Sequence, residues 1–328
     1  MMHLIRRPVS DNGVAFWATA HGLAGLKGSV AALVTPMHGG RVDDDALAAL
    51  CDRQVQRGSA ALVVCGSTGE AASLLPSEHM RVIRIAVEAA ASRVPVIAGC
   101  GAPATDAATA LAGIAVRSGA AALLCAPPPY VKPTQDGIAA HIRAVAHAST
   151  CPVIPYDVPA RTGVGITDET VARLFEQGLI AGIKDATGDL SRPVRLRQLC
   201  GEGLRQYSGD DATAPAHLAM GGHGCISVTA NVVPALCARL HRSWIVGDMG
   251  EFARLRDQLA PLHQALSGES NPIPVKAALS MADLCHGDLR LPLTRAGAAT
   301  LDRLGLMLPT LIEAEEEAAS LSRLNLVR

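Results

Sequence analysis

Residues 180–188 read Ile180-Ala181-Gly182-Ile183-Lys184-Asp185-Ala186-Thr187-Gly188. A short apolar run carries a lysine near its end and then breaks at Thr-Gly. Bounded by turn residues in this way, the run reads as a buried strand. A lysine there is costly, because an ammonium without a partner is disfavoured away from water. Two readings follow. Lys184 pairs with a neighbouring acid such as Asp185, or it serves as an amine nucleophile. Desolvation suits the second, since it leaves more neutral amine to attack a carbonyl and form a Schiff base. The stretch alone leaves both open.

The surrounding sequence repeats the same unit. A short helical pattern over 168–175 precedes this strand and another over 190–199 follows it. Further strand-like runs fall at 28–36, 60–66, 95–101, 121–126, 152–158, 204–208 and 224–229. Between or after them lie helical patterns at 43–57, 77–92, 105–117, 135–148, 212–220 and 234–244. The first of these has an acidic first turn, which suits the helix dipole; in the second, Ser77 is placed to cap and Glu78 to follow it. Eight strands, each followed by a helix, imply parallel pairing and an α/β protein of the (β/α)8 TIM-barrel class. A doubly wound open sheet is the competing arrangement, but no Gly-x-Gly-x-x-Gly follows the first strand. Residues 1–25 read as an N-terminal extension and 26–247 as the barrel. Residues 248–328 read as a C-terminal helical subdomain, with Pro272, Pro274 and Pro292 marking its connectors.

Composition narrows the function classes. The 328 residues are 49% hydrophobic and 18% charged, enough for a large core. A net charge of -1 gives no support for a nucleic-acid or anionic-membrane surface. Nine scattered cysteines with no Cys-x-x-Cys pair read as reduced thiols in a cytoplasmic protein, not as disulfides or a zinc site. Phe16 and Trp17 follow Asp11 and Asn12, which interrupt any signal-peptide core. No apolar segment reaches membrane-spanning length without Gly, Pro or charge.

In a barrel of this kind the active site forms where strands end and the following loops begin. The second strand ends in Gly66-Ser67-Thr68-Gly69-Glu70, a turn whose amides can converge on a carboxylate or phosphate; a plain Gly-rich turn is the bland alternative. The fourth ends in Pro127-Pro128-Pro129-Tyr130-Val131-Lys132-Pro133, where prolines fix the backbone and hold Tyr130 out, for chemistry or simply as a surface tyrosine. The fifth ends in Tyr156-Asp157-Val158-Pro159-Ala160-Arg161-Thr162-Gly163. Tyr156 and Lys184 then lie on adjacent strands, within reach for proton exchange. Arg161 offers either a bidentate carboxylate clamp or a surface salt bridge. Ser208-Gly209-Asp210-Asp211 and Gly221-Gly222-His223-Gly224 follow the seventh strand, and the latter has the composition of a phosphate loop.

Together, Gly-Ile-Lys-Asp-Ala-Thr-Gly around Lys184, the Gly-Ser-Thr-Gly-Glu turn and Tyr-Asp-Val-Pro-Ala-Arg-Thr-Gly resemble the pyruvate-dependent class I aldolase superfamily of dihydrodipicolinate synthase and N-acetylneuraminate lyase. The resemblance spans roughly residues 26–295. It adds the motifs at 33–36, 224–231, 271–276 and 289–293. Within that superfamily the chain is most similar to the synthase branch, which carries arginine at the Arg161 position where sialic-acid lyases generally do not. The resemblance implies that Lys184 forms the imine with pyruvate and that Tyr156, Thr68 and Tyr130 form a proton relay. It also implies that the Ser67 and Thr68 amides hold the pyruvate carboxylate. Arg161 would bind the carboxylate of aspartate semialdehyde, and the Ile226 carbonyl would face the lysine pocket. No metal or organic cofactor is implied, only the covalent lysine–pyruvate imine. The partners implied are pyruvate, a small aldehyde and further copies of the chain in a homodimer or homotetramer, with Tyr130 entering the neighbour's site. Two positions depart from the synthase pattern: Ser67 replaces Thr, and Asp157 replaces Asn. Because side chains alternate along a strand, Asp157 should face away from a pocket that Tyr156 faces. The competing functions are another pyruvate aldolase or lyase acting on a sugar-derived 2-oxo acid, and a non-enzymatic pyruvate sensor.

Overall fold

The computed structural model describes Leu23 and residues 25–326. Apart from Leu23 and Gly25, the expected N-terminal extension lies outside these residues. Eight parallel strands form the centre: β1 (Gly28–Ala32), β2 (Ala61–Val64), β3 (Val96–Gly99), β4 (Ala122–Cys125), β5 (Val153–Asp157), β6 (Gly182–Asp185), β7 (Arg205–Ser208) and β8 (Gly224–Ser227). They close into a barrel in sequence order. Val30 of β1 pairs with Ala61 on one side and Ile226 on the other, which rules out the open sheet.

Every residue of β1 through β6 is buried, as expected of strands covered on both faces. Their two faces separate cleanly by alternation. Val30, Ala61, Val63, Ile97, Leu124, Ile154, Tyr156 and Ile226 fill the interior. Leu62, Ala98, Leu123, Val153 and Ile183 join the outer layer under the helices. Leu23 and Leu26 belong to the interior cluster, and Tyr207 ties to this segment by donating its hydroxyl to the Leu26 carbonyl at 3.1 Å.

The helices that follow the strands in turn are α1 (Asp44–Gln56), α2 (Pro76–Ala90), α3 (Thr105–Arg117), α4 (Gln135–His147), α5 (Asp168–Glu176), α6 (Arg192–Cys200), α7 (Ala214–Ala219) and α8 (Pro234–Val246). Asp43 caps α1, its carboxylate accepting the Ala46 amide, with Asp44 and Asp45 in the first turn. Ser77 does not cap α2. The helix starts at Pro76, whose fixed φ suits the first helical position, and Glu78 reaches back to the Leu75 amide at 2.9 Å.

Three helices complete the chain: α9 (Met249–Leu266), α10 (Ile273–Met281) and α11 (Ala298–Leu326). They dock on the barrel through specific polar groups. Glu315 of α11 is fully buried and accepts the Ala235 and Leu236 amides at 2.9 and 3.0 Å, capping α8 from another element. Its charge is met by Arg57 at 3.0 Å. Small elements beyond the sequence pattern include a hairpin of Met37–His38 with Arg41–Val42, and a four-residue helix, Pro159–Thr162, that carries Arg161.

Candidate active site

Tyr156 and Lys184 are direct Cα partners across the β5–β6 ladder. Both face the barrel interior, at 8% and 5% exposure, and the Lys184 Nζ sits 4.1 Å from the centroid of the Tyr156 ring. The next residue on each strand, Asp157 and Asp185, points the other way. Asp185 turns its carboxylate to the Thr187 amide and hydroxyl and lies 3.4 Å from Arg192. The Lys184–Asp185 pair is therefore not formed, and among the described residues no carboxylate makes an ion pair with Lys184.

Arg192, at the start of α6, collects the outward acids. Its Nη1 lies 2.7 Å from Asp157, its Nε lies 2.8 Å from Asp168, and its Nη2 donates to the Ile166 carbonyl at 2.6 Å. Burial pushes the Asp157 carboxyl above its usual range, and Arg192 opposes that push. Asp157 thus belongs to the outer face, as alternation required, and its charge has a buried partner.

The turn after β2 bends at both ends through left-handed residues, Cys65 at φ 54° and Glu70 at φ 52°. It lies so close to β3 that a Cβ on Gly99 would meet the Cys65 carbonyl oxygen at 2.0 Å. Glu70 donates its amide to the Ser67 carbonyl and Ala71 to that of Gly66. Among the described residues no protein acceptor takes the Ser67 or Thr68 amide, so both remain available to an anion. The Thr68 hydroxyl is buried and accepts from the Asn271 side-chain amide at 3.0 Å.

The segments 271–276 and 289–293 hold this turn from behind. Lys276 is fully buried, ion-paired to Glu70, and donates to the Asp288 carbonyl at 2.8 Å. Burial lowers its pKa, with Glu70 acting against that shift. The Arg290 amide bonds the other Glu70 oxygen at 3.0 Å, while its guanidinium forks onto Glu78 and bonds the Ser73 and Gly40 carbonyls. In the sequence these motifs stand only as marks of the resemblance, and their bracing role comes from long-range bonds. The available signal was a second lysine in an apolar helical run.

The remaining candidates are spread around the same end of the barrel. Tyr130 is 93% exposed at φ 74°, on a loop whose geometry holds the ring out from its own chain. Arg161 is exposed and donates to the Asn271 carbonyl at 3.1 Å. Asn271, a site residue not legible in the sequence, therefore touches both Thr68 and Arg161. Ile226 is buried inside the barrel beside Val30. The hydroxyls of Tyr156, Thr68 and Tyr130 make no mutual hydrogen bond among the described residues, so the relay is not assembled in the single chain. The Gly221–Gly224 loop is corrected as a phosphate candidate. It leads into β8 and therefore lies at the opposite, N-terminal end of the strands; a Cβ on Gly221 would overlap Arg197. Asp211, after β7, instead braces the loop beyond β8 by accepting the Val228 and Thr229 amides.

The chain is similar to known proteins over most of its length. The dihydrodipicolinate synthetase family matches residues 25–308. A 4-hydroxy-tetrahydrodipicolinate synthase of Rhodospirillum centenum is 47% identical over 84% of this chain and 95% of its own length. One from Hyphomonas neptunium is 49% identical over 83% and 94%. Among solved structures, a chloride-inhibited dihydrodipicolinate synthase from Acinetobacter baumannii complexed with pyruvate superposes with a TM-score of 0.84. It is 40% identical, with 87% of this chain and 99% of that chain covered.

Proposed function

Since the chain belongs to the dihydrodipicolinate synthetase family, and so to a family of lyases, we propose that it condenses pyruvate with aspartate semialdehyde through a Schiff base on Lys184. The barrel over residues 26–247 supplies the chemistry, and residues 248–328 brace it. The observation that carries this reading is the unpaired, buried Lys184 amine over the face of Tyr156.

The Lys184 amine attacks the pyruvate ketone, water leaves, and the resulting iminium acidifies the methyl group. The pyruvate carboxylate is held by the free amides of Ser67 and Thr68. Tyr156 takes and returns protons at the lysine nitrogen and the former ketone oxygen, with Thr68 and a neighbouring subunit's Tyr130 completing the relay. Loss of a methyl proton gives the enamine, whose carbon attacks the aldehyde. The substrate's own amino group then attacks the iminium carbon, closes the ring and releases Lys184. The iminium is the electron sink, so this route calls for no metal or organic cofactor. Arg161 receives the carboxylate of aspartate semialdehyde, and the Ile226 carbonyl borders the lysine pocket.

Tyr130 motivates the assembly we propose, an isologous dimer or a dimer of dimers. No described helix is long and apolar enough to cross a membrane. The nine free cysteines suit a reducing cytoplasm. The alternative enzyme, acting on a sugar-derived 2-oxo acid, would not use Arg161 as a clamp. The sensor reading has no use for the placement of Tyr156 against Lys184. With pyruvate present, aspartate semialdehyde assayed beside a panel of sugar-derived aldehydes decides among the three. Turnover of the first alone supports the synthase; turnover of a sugar-derived substrate alone moves the chain to the wider aldolase group. No turnover, with pyruvate still bound, supports the sensor.

A further inference from the structure

We propose that His38, Asp43 and His286 form a binding site for one zinc-class divalent ion, on the seam between the barrel and the C-terminal segment and apart from the pyruvate pocket. Their ligand atoms, one imidazole nitrogen each from the histidines and a carboxylate oxygen, all lie within 4.8 Å of one another. The two rings stack nearly parallel, with centroids 3.9 Å apart and planes at 14°. Among the described residues neither imidazole has a hydrogen-bond partner, so the ring nitrogens are open to a ligand. Asp43 spends Oδ1 on the Ala46 amide, which leaves Oδ2 for a ligand.

The backbone around these residues is organised rather than loose. Met37 and Gly287 form a parallel bridge, and the Gly39 amide donates to Asp288 at 3.2 Å. The Arg290 guanidinium adds bonds to the Gly40 carbonyl. The hairpin that carries His38 and the loop that carries His286 are therefore fixed against each other, and Asp43 is fixed as the cap of α1. Both histidines are exposed, so a hydrated ion has a direct approach.

Donor chemistry selects the class of ion. Two imidazoles and one carboxylate suit zinc and its borderline-soft neighbours, whereas magnesium and calcium favour all-oxygen shells. Zinc bonds of roughly 2.0–2.2 Å place tetrahedral ligands about 3.3–3.5 Å apart. Side chains now within 4.8 Å of one another close to that spacing once the two exposed rings turn out of their stack, because an imidazole nitrogen binds a metal in its own ring plane. Water would fill the fourth position. A bound ion would cross-link the hairpin to the loop that supplies the Asp288 carbonyl to Lys276 and the Arg290 amide to Glu70. It would stiffen the support of the Ser67–Glu70 turn without touching reactants.

The test uses the full chain, stripped with a chelator, and titrates zinc and magnesium separately by calorimetry and by thermal unfolding. The proposal expects a zinc isotherm that weakens at least tenfold in His38→Ala and in His286→Ala, with the zinc-induced rise in Tm lost in both. Asp43→Asn, which keeps the cap oxygen for Ala46, should weaken zinc binding while leaving the metal-free Tm near that of the parent. Magnesium should produce no rise. Anomalous scattering at the zinc edge from soaked crystals should place the ion at the ring nitrogens of His38 and His286 and the Asp43 carboxylate. Zinc binding that is unchanged in the His38→Ala, His286→Ala double variant would assign the ion to thiols or histidines elsewhere and overturn the proposal. A parent protein that binds no zinc overturns it equally.

Discussion

The Arg192 guanidinium lies 2.7 Å from Asp157 and holds the outer face of the two strands whose inner face carries Tyr156 and Lys184. The same guanidinium nitrogen is 3.4 Å from Asp185, the residue after Lys184. One buried cation thus bridges the strands of Tyr156 and Lys184 from behind. Removing one partner of a buried pair strands the other charge, at a cost of about 3–5 kcal/mol. Arg192→Leu should lower unfolding stability by that amount in a urea titration. Asp157→Asn should be milder, because Arg192 keeps Asp168 and Asp185. A stability for Arg192→Leu equal to that of the parent would show that the bridge carries no weight.

Two buried lysines separate cleanly by their partners. Lys276 has Glu70; Lys184 lies over the ring face of Tyr156 and, among the described residues, has no carboxylate in an ion pair. Borohydride reduction in the presence of pyruvate should therefore add mass to Lys184 and none to Lys276, as peptide mass spectrometry can show. Lys184→Ala should abolish condensation with little change in Tm. Lys276→Ala should instead destabilise by about 3–5 kcal/mol, since it leaves Glu70 charged and buried. Adduct on another lysine, or on none, would remove the Schiff-base mechanism.

Periodicity exposed the barrel because each strand and helix is a local pattern, and the pairing of Tyr156 with Lys184 follows once the strands are adjacent. The bland pairing of Lys184 with Asp185 was also decidable from alternation, since neighbours on a strand face opposite ways. What stayed hidden was long-range. Asn271 meets Thr68 across 203 residues of chain, and Arg290 meets Glu78 across 212. Nothing in the local sequence near Thr68 announces either partner. The Gly221–Gly224 loop misled for the opposite reason: its composition fits a phosphate site, and only its position before β8 removes it to the far end of the barrel.

Glu78 makes the brace sensitive to acid. Hydrogen bonds from Arg290, against partial burial and with help from the Leu75 amide, hold its pKa at about 2, below the ordinary 4.5. A carboxylate with a depressed folded pKa contributes stability above its unfolded value and loses that contribution as pH falls through its folded value. The Tm difference between the parent and Glu78→Gln should therefore be largest above about pH 4.5 and shrink towards pH 2. A difference that does not change with pH would mean that the Arg290 contact is one of packing rather than charge.

Tyr130 is exposed in the single chain, yet the proposed relay needs it near Lys184. Sedimentation should show a dimer or larger assembly. Tyr130→Phe should reduce turnover by about 10²–10⁴-fold, the usual contribution of a positioned proton-transfer group, without changing the mass of the borohydride adduct. A fully active monomer would refute the shared site.

Arg161 discriminates between aldehydes with and without a carboxylate. Its guanidinium is exposed and, among the described residues, spends one hydrogen bond, to the Asn271 carbonyl at 3.1 Å. The remaining donors are open to a bidentate anion. Hydrogen bonds to charged groups contribute about 1.5–3 kcal/mol, more than tenfold in affinity. Arg161→Ala should therefore raise KM for aspartate semialdehyde by roughly one to two orders of magnitude. Some loss of kcat should accompany it, because the clamp also orients the aldehyde. Labelling of Lys184 by pyruvate and borohydride should persist, since that half of the site rests on Ser67, Thr68 and Lys184. The bond to Asn271 supplies a competing account, in which Arg161 only steadies the residue that holds the Thr68 hydroxyl. Under that account Arg161→Ala would impair pyruvate labelling and aspartate semialdehyde kinetics together. A selective rise in KM for the aldehyde, with labelling intact, is the result that identifies Arg161 as the carboxylate clamp.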